Sequence, residues 1–403
     1  MDNKKELLFF HDNYVLGGDT NYLGEVLKKI HPSQFTLIYG SSSSVKKHIM
    51  KLNIEPSSLI ALRLFNPSFF FHLISTKCKY RLVRFIFNKL IKVISPLLIR
   101  IVHIRLKLLL EKNDIEKYKK IIINSGGFWG SEVSRQFLKL IDRNDCIYII
   151  HNHIPDLRNN PGAFSSIDKN INNWITGSKT VEKQLLYDHR VNPDSVHYVP
   201  YGVKPKIKPL NIDHSRLYNK FGINKNDFVI IHPSGFIKRH GHYYTLSAFK
   251  DFNKNVKNSK LILAGGEGEY KDQVKKLVSS MHLNNDVIFT GYYTPIEELI
   301  VISDLVCLPS QEYGGMPLVL SLGLACKTPI LTTSGGDFDD YLSDEYNAFL
   351  VKVNDYKTIT KKFNKLYTDE KLKNNLIING FNTYKKYFLE EHMVTKTINL
   401  LRK

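Results

Sequence analysis

Apolar residues along this chain fall into short runs, separated by stretches in which apolar and polar positions recur at helical spacing. Leu7–His11 and Phe35–Gly40 read as strands, with a Gly17-Gly18 turn and a helix through about Lys29 between them. Ile121–Asn124 is a third run and ends in Ser125-Gly126-Gly127. A helix over Glu132–Leu140, a strand from Cys146 to His151, and short runs at Trp174–Thr176 and Val196–Val199 complete the first half. A Lys/Pro-rich stretch from Pro200 to Pro209 reads as a linker. The alternation then restarts, with strands at Phe228–His232, Lys260–Ala264, Val287–Thr290, Leu305–Pro309, Ile330–Thr332 and Ala348–Val351. Helices are expected over Tyr243–Phe252, Lys271–Leu283, Ile296–Val301, Leu318–Ala325, Tyr356–Tyr367 and Glu390–Lys403. Strands alternating with helices predict parallel sheets covered on both faces. The expected fold is α/β, with two doubly wound domains facing across a cleft. Residues 1–200 form the first and 201–385 the second, and the helix over 386–403 is expected to pack back on the first. Ligands of open α/β sheets bind beyond the carboxyl ends of the strands, so the site is sought there.

The 403 residues leave room for two or three domains, and an apolar fraction of 43% excludes a disordered or fibrous chain. Four widely separated cysteines, Cys78, Cys146, Cys307 and Cys326, give neither a disulfide framework nor thiolate zinc spacing. The polar start lacks the features of a secretory signal, and no apolar run is long enough to span a bilayer. A cytoplasmic protein is expected, with attachment to the inner face of the cell membrane left open.

Charge changes that picture in one region. Lys and Arg number 57 against 38 Asp and Glu, a net +19, and no acidic residue occurs between Glu55 and Glu111. Within the basic region 56–112, Arg81, Arg84, Asn88, Lys92 and Ser95 share one side at helical spacing, with Phe85, Phe87, Leu90, Ile91 and Ile94 on the rest. A helix broken near Pro96 and resumed through Lys107 is expected. It either meets an anionic membrane surface or covers a sheet with its basic face solvated. No nucleic-acid-binding module accompanies the charge, so no nucleic-acid partner is expected.

Candidate chemistry lies at strand ends. Gly17 and Gly18 would let helix N-terminal amides approach a phosphate, or simply make a turn. The segment from Gly235 through Lys238, Arg239 and His240 to His242 follows a strand, and two adjacent cations with two histidines can neutralise a departing diphosphate without a metal. After the strand ending at Pro309, Glu312 is free to hold sugar hydroxyls, and Gly314, Gly315, Met316, Pro317 and Leu318 lead into a helix. His151 and His153 follow a strand and serve either as base or sugar contact, or as structural hydrogen-bonders. Asp337, Asp339 and Asp340 read as a solvated acidic turn rather than a metal site.

Residues from about Phe228 to Val351 resemble the donor-binding half of a GT-B retaining glycosyltransferase of the family 4 type (glycosyl transferases group 1). The resemblance rests on Ala264-Gly265-Gly266-Glu267-Gly268, Val287 to Tyr292, Leu308-Pro309-Ser310 with Glu312, Ala325 to Ile330 and Asn347 to Val351. Gly17-Gly18 and Val199 to Val203 extend it to the first half. It implies two Rossmann-like domains and a UDP- or GDP-sugar as donor, with no protein-held metal or other cofactor. The acceptor would be a glycan or lipid-linked glycan, in surface polysaccharide or lipopolysaccharide synthesis. Gly17 and Gly18 would face the donor phosphates, Lys238 or Arg239 the diphosphate, and Phe289 to Tyr292, including Thr290 and Gly291, the base. Glu312 would contact the transferred sugar, and the backbone of 314–318 the phosphate. The family's second Glu, which binds ribose, falls at Leu320 or Leu322, and Ser321 is the nearest polar side chain. That departure leaves a non-catalytic GT-B subunit as the alternative, beside a phosphorylase or epimerase of the same architecture.

Overall fold

The computed structural model describes residues 6–12, 18–40, 42–52, 54, 58–62, 81–125, 132–151, 168–207, 212–311 and 317–403, with the side chains of 18, 43–44, 81–95, 132 and 338 outside that description. The chain forms two compact units, residues 1–200 with 393–403, and residues 201–392.

In the first unit the strands are β1 (Leu7–His11), β2 (Phe35–Gly40), β3 (Leu59–Leu62), β4 (Lys120–Ser125), β5 (Cys146–Ile150), β6 (Ile171–Thr176) and β7 (Val196–Tyr198). They make one sheet in the order β3-β2-β1-β4-β5-β6-β7. Every pair is parallel, with Leu7 opposite both Phe35 and Lys120. Helices α1 (Gly18–Leu27), α2 (Ser43–Met50), α3 (Arg81–Lys112), α4 (Glu132–Leu140) and α5 (Lys179–Lys183) connect them. β2 and β5 are buried along their whole length, as strands covered on both faces must be. Leu8, Phe10, Ile121 and Ile123 join Val102, Leu106, Val133 and Phe137 in one core.

α3 runs unbroken through Pro96, where the sequence predicts a break. An interior proline removes one amide donor and crowds the preceding turn, a local cost of about 3 kcal/mol. Val102, Leu106 and Leu110 are buried beyond it, each contributing about 1.5–3 kcal/mol. Their combined packing outweighs the proline.

In the second unit, α6 (His214–Phe221) precedes β8 (Phe228–His232), α7 (His242–Asn255), β9 (Ser259–Leu263), α8 (Lys271–Ser280), β10 (Val287–Phe289) and α9 (Glu297–Val301). Then come β11 (Leu305–Leu308), α10 (Leu318–Ala325), β12 (Ile330–Thr333), β13 (Phe349–Val351), α11 (Tyr356–Thr368), α12 (Glu370–Tyr387) and α13 (Glu390–Arg402). The strands form a parallel sheet in the order β10-β9-β8-β11-β12-β13. Alternate strand residues enter two cores. Phe228, Ile230 and Leu305 lie with Leu246 and Phe249 of α7, and Val229, Ile231 and Val306 lie with Leu320 and Leu324 of α10. The two doubly wound sheets expected from the alternation are therefore present.

The Lys/Pro-rich stretch is pinned rather than free at Val203. This residue is buried, pairs with Leu389 as a single parallel bridge, and donates its N–H to the Phe388 carbonyl at 2.8 Å. The last helix, α13, crosses the boundary between units, and from Met393 onward it belongs to the first. Its Thr397 is hydrogen-bonded to Tyr22 of α1. Cys146, Cys307 and Cys326 are free thiols, each pushed up to about 12 by burial, and Cys78 lies outside the described residues.

Close packing of α10 on the sheet depends on Gly323, where a Cβ would stand 2.8 Å from Ile330 Cγ2 and 3.2 Å from Val306 Cγ2. Gly323→Val is expected to lower stability by about 1–3 kcal/mol through overpacking, read by urea denaturation.

Candidate functional site

In the second unit β8 and β11 are neighbours in the sheet but not in the chain. The chain leaves β8 for α7 on one face and leaves β11 for α10 on the other. Their carboxyl ends therefore form a topological switch point, where the two outgoing loops diverge and leave room for a ligand.

The loop after β8 is held by its neighbours' backbones. Gly241, at φ +81°, closes it, and a Cβ there would lie 2.0 Å from the Pro309 carbonyl oxygen. Gln311 donates its N–H to the Arg239 carbonyl at 2.7 Å, joining this loop to the one after β11. On the other side, a Cβ on Gly265 would meet the Ser234 carbonyl at 2.0 Å, and one on Gly268 the Phe236 carbonyl at 2.3 Å. Two glycines of the Gly265–Gly268 run thus serve backbone contact.

Between these contacts, Lys238, Arg239 and His240 form a single 3-10 turn. Lys238 and Arg239 are exposed, and Lys238 makes no ion pair among the described residues. Beneath them Phe289, Phe236, His242 and His232 stack in series, with centroids 5.9, 4.9 and 4.2 Å apart. Burial draws the His242 pKa down to about 3 and His232 well below its ordinary value, and it lowers His240 too. His240 Nδ1 donates to the Gly235 carbonyl at 2.8 Å. The expectation that histidines add to the cationic charge of this turn is corrected: desolvation keeps His240 and His242 neutral, and the charge is that of Lys238 and Arg239.

Gly235 lies at the root of the turn, half-buried. At the end of β10, Thr290 donates its hydroxyl to the Gly291 carbonyl at 3.1 Å, Gly291 has φ +70°, and Tyr292 is 81% exposed. Pro317 caps α10 in extended conformation, and Leu318 is half-buried. Leu320 and Ser321 are fully buried, and Ser321 Oγ has no hydrogen-bond partner among the described residues. Glu312, Gly314, Gly315, Met316 and His153 lie outside the described residues, as does Gly17, while Gly18 is the first residue of α1. Asp339 accepts from the Gly335 N–H at 3.1 Å, and among the described residues no cluster of His, Cys, Asp or Glu could hold a metal ion.

The first unit has its own switch point between β1 and β4, and a polar network fills it. Asn124 Nδ2 lies 3.3 Å from the Asp19 carbonyl, which can only accept, so the amide oxygen is turned to His151 Nε2 at 2.7 Å. That nitrogen must donate, which leaves the lone pair of the neutral ring on Nδ1. Burial draws His151 down to about 4, so the ring is neutral near pH 7. His11 also belongs here, 3.0 Å from Asn124 and 3.2 Å from Thr20 Oγ1. Beside it, Asp12 is fully buried and raised to about 7 by desolvation, accepting from Ser134 Oγ at 2.7 Å. Asp12, His11 and Asn124 were not singled out from the sequence. The available signal was that polar residues end the apolar runs of two strands that the fold makes adjacent.

The family model for glycosyl transferases group 1 matches residues 213–383, inside the second unit. The second unit belongs to that family. The N-acetyl-alpha-D-glucosaminyl L-malate synthase of Bacillus anthracis is 27% identical over 184 residues, 46% of this chain and 48% of that protein. The alpha-monoglucosyldiacylglycerol synthase of Streptococcus pneumoniae is 25% identical over 174 residues, 41% and 38% of the two chains. The chain spans about half the length, or less, of the curated relatives it matches. Among solved structures, a glycosyltransferase from Rickettsia africae superposes with a TM-score of 0.77 at 17% identity, over 98% of this chain and 97% of that one. Anabaena HepE in complex with UDP and glucose gives 0.75 at 16% identity, over 99% and 100%. These likenesses show the GT-B fold.

Two outcomes test the geometry of this group 1 unit. Gly241→Ala places a side chain in the left-handed region and against the Pro309 carbonyl, so it is expected to lower stability by more than about 1 kcal/mol in urea denaturation. The unfolded chain protonates His242 near the ordinary value, but the folded protein does so only near about 3. Its contribution to stability therefore shrinks as pH falls through 6.5 towards 3. His242→Phe should flatten the loss of stability between pH 6.5 and 4.5 by up to one proton's slope; unchanged slopes would remove the assignment.

Proposed function

We propose that this protein is a retaining glycosyltransferase of the family 4 type, which moves a sugar from a nucleotide diphosphate donor to a hydroxyl of a glycan or lipid-linked acceptor. The observation that carries the reading is the Lys238-Arg239 turn, held by backbone contacts at the switch point beside the segment leading to Glu312. Fixed cations aimed where charge develops on a departing diphosphate lower the barrier without reorganising. The first amides of α10 add partial positive charge from the other loop. Glu312 holds hydroxyls of the transferred sugar. His151, whose basic nitrogen is Nδ1, contacts that sugar or takes the acceptor's proton.

A UDP-sugar is favoured over a GDP-sugar because structural neighbours are complexes with UDP, and with UDP-glucose. A hydroxyl-bearing acid or a glycerolipid acceptor is in keeping with the names of the two curated relatives. Retention of configuration is carried over from the family resemblance, as is a place in surface polysaccharide synthesis at the inner membrane face. A second reading, a non-catalytic GT-B subunit, is favoured by one observation: leucines stand where the family's ribose-binding Glu is expected, and Leu320 is buried in the core.

Lys238→Ala, Arg239→Ala and Glu312→Ala are each expected to reduce sugar transfer from UDP-glucose or a related donor by about 100-fold or more, with circular dichroism unchanged. Wild-type turnover in all three would defeat the site assignment. Calorimetric titration with UDP separates the two readings, because a subunit without donor chemistry should show no heat of binding.

A further inference from the structure

We propose that α3 rests on an anionic lipid bilayer through a stripe formed by Leu97, Ile101, Ile104 and Leu108. These side chains are 62%, 38%, 51% and 60% exposed, an unusual expense of apolar surface on one helix. Their spacing of four, three and four residues aligns them along one line of a helix. The buried line of the same helix, Val102, Leu106 and Leu110, lies on the opposite side and packs on the first unit's sheet. Sheet packing therefore accounts for one face of α3 and leaves the stripe outward. Among the described residues no other helix exposes more than one large apolar side chain. Scattered exposed residues need no explanation, but a continuous apolar line signals a partner.

The flanks identify that partner. At about 3.6 residues per turn, Arg100 and Lys107 stand on one shoulder of the stripe, with Arg105 and Lys112 on the other. The only acid on this part of α3 is Glu111, at 3.9 Å from Lys107 with both side chains exposed, too weak a pair to cancel the field. A second copy of the chain laid on this stripe would bring cations against cations. Anionic headgroups accept both shoulders while the four apolar side chains enter the acyl boundary. Among the described residues no helix is long and apolar enough to cross a membrane, so the contact is with the surface. The sequence alone directed attention to the turns before Pro96; the exposed stripe lies after it. This contact does not depend on the donor chemistry, and each can fail without the other.

The test is flotation of the full-length protein with vesicles of phosphatidylcholine alone, or with about a third phosphatidylglycerol. Binding is expected only to the anionic vesicles and should weaken as salt rises. Ile104→Ser/Leu108→Ser and, separately, Arg100→Glu/Lys107→Glu should each lower partitioning at least about tenfold, with unchanged circular dichroism and UDP titration. The proposal is overturned if wild-type protein does not float at low salt, or if both double variants float as wild type. It is equally overturned if the vesicle-free protein is a dimer that Ile104→Ser/Leu108→Ser converts to monomer, which would make the stripe a protein contact.

Discussion

The site in the second unit depends on a topological constraint on parallel strands. β8 and β11 lie side by side, and each must continue into a helix that covers the sheet. Their helices, α7 and α10, occupy opposite faces, so the two loops part above the strand ends. Packing alone would let such loops drift. Here carbonyl oxygens of Ser234, Phe236 and Pro309 occupy the space where Cβ atoms of Gly265, Gly268 and Gly241 would stand. Three loops are thereby fixed at backbone distance, and the Lys238-Arg239 turn inherits that rigidity. The backbone that carries the two cations then requires no ordering when an anion arrives, and only their exposed side chains must settle.

The two units solve the same topological problem with different chemistry. At the switch point of the first, the buried groups are His11, Asp12, Asn124 and His151, and desolvation favours the neutral forms of both Asp12 and His151. Asn124 orders this network because its two ends are not interchangeable: one end faces a carbonyl and the other a ring nitrogen. In the second unit the histidines lie under the turn as uncharged stacking partners, and the cations stand outside. One switch point is thus built around buried hydrogen bonds, and the other around exposed cations.

Much of this was legible in the residues because buried parallel strands must be continuous apolar runs. Cys146–Ile150 and Phe228–His232 were read correctly for that reason. β3 was missed because Leu59–Leu62, though apolar throughout, is only four residues long, too short a run to mark a strand by itself, and only its last residue is buried. α12 was missed because its buried positions include Gly380 and Thr383, whose small or polar side chains hide the core-facing stripe. The proline at 96 was over-weighted, since its cost is local while the packing that opposes it is spread over later turns. Lys238 and Arg239 could be singled out from their position after a strand, but the neutrality of their neighbouring histidines follows from burial, which sequence does not display. The Gly265–Gly268 run entered only through the family resemblance, and the packing gives two of its glycines a local reason, since Gly265 and Gly268 meet backbone carbonyls.

The displaced ribose contact can be narrowed by the same packing. Two registers put the family's second Glu at Leu320 or at Leu322. Leu320 is fully buried in the core that also contains Val306 and Ile330, and a carboxylate there would lose its hydration without gaining a partner. Leu322 is only partly buried against that core, so its side of α10 can carry a polar side chain in a relative and an apolar one here. The register aligned on Pro329 is therefore the one this helix can accommodate. Ser321, fully buried and with its hydroxyl unpaired among the described residues, sits between the two positions without reproducing the reach of a glutamate. If the proposed donor site is correct, a nucleotide there would take its anchoring from its diphosphate, beside Lys238, Arg239 and the first amides of α10, more than from its ribose.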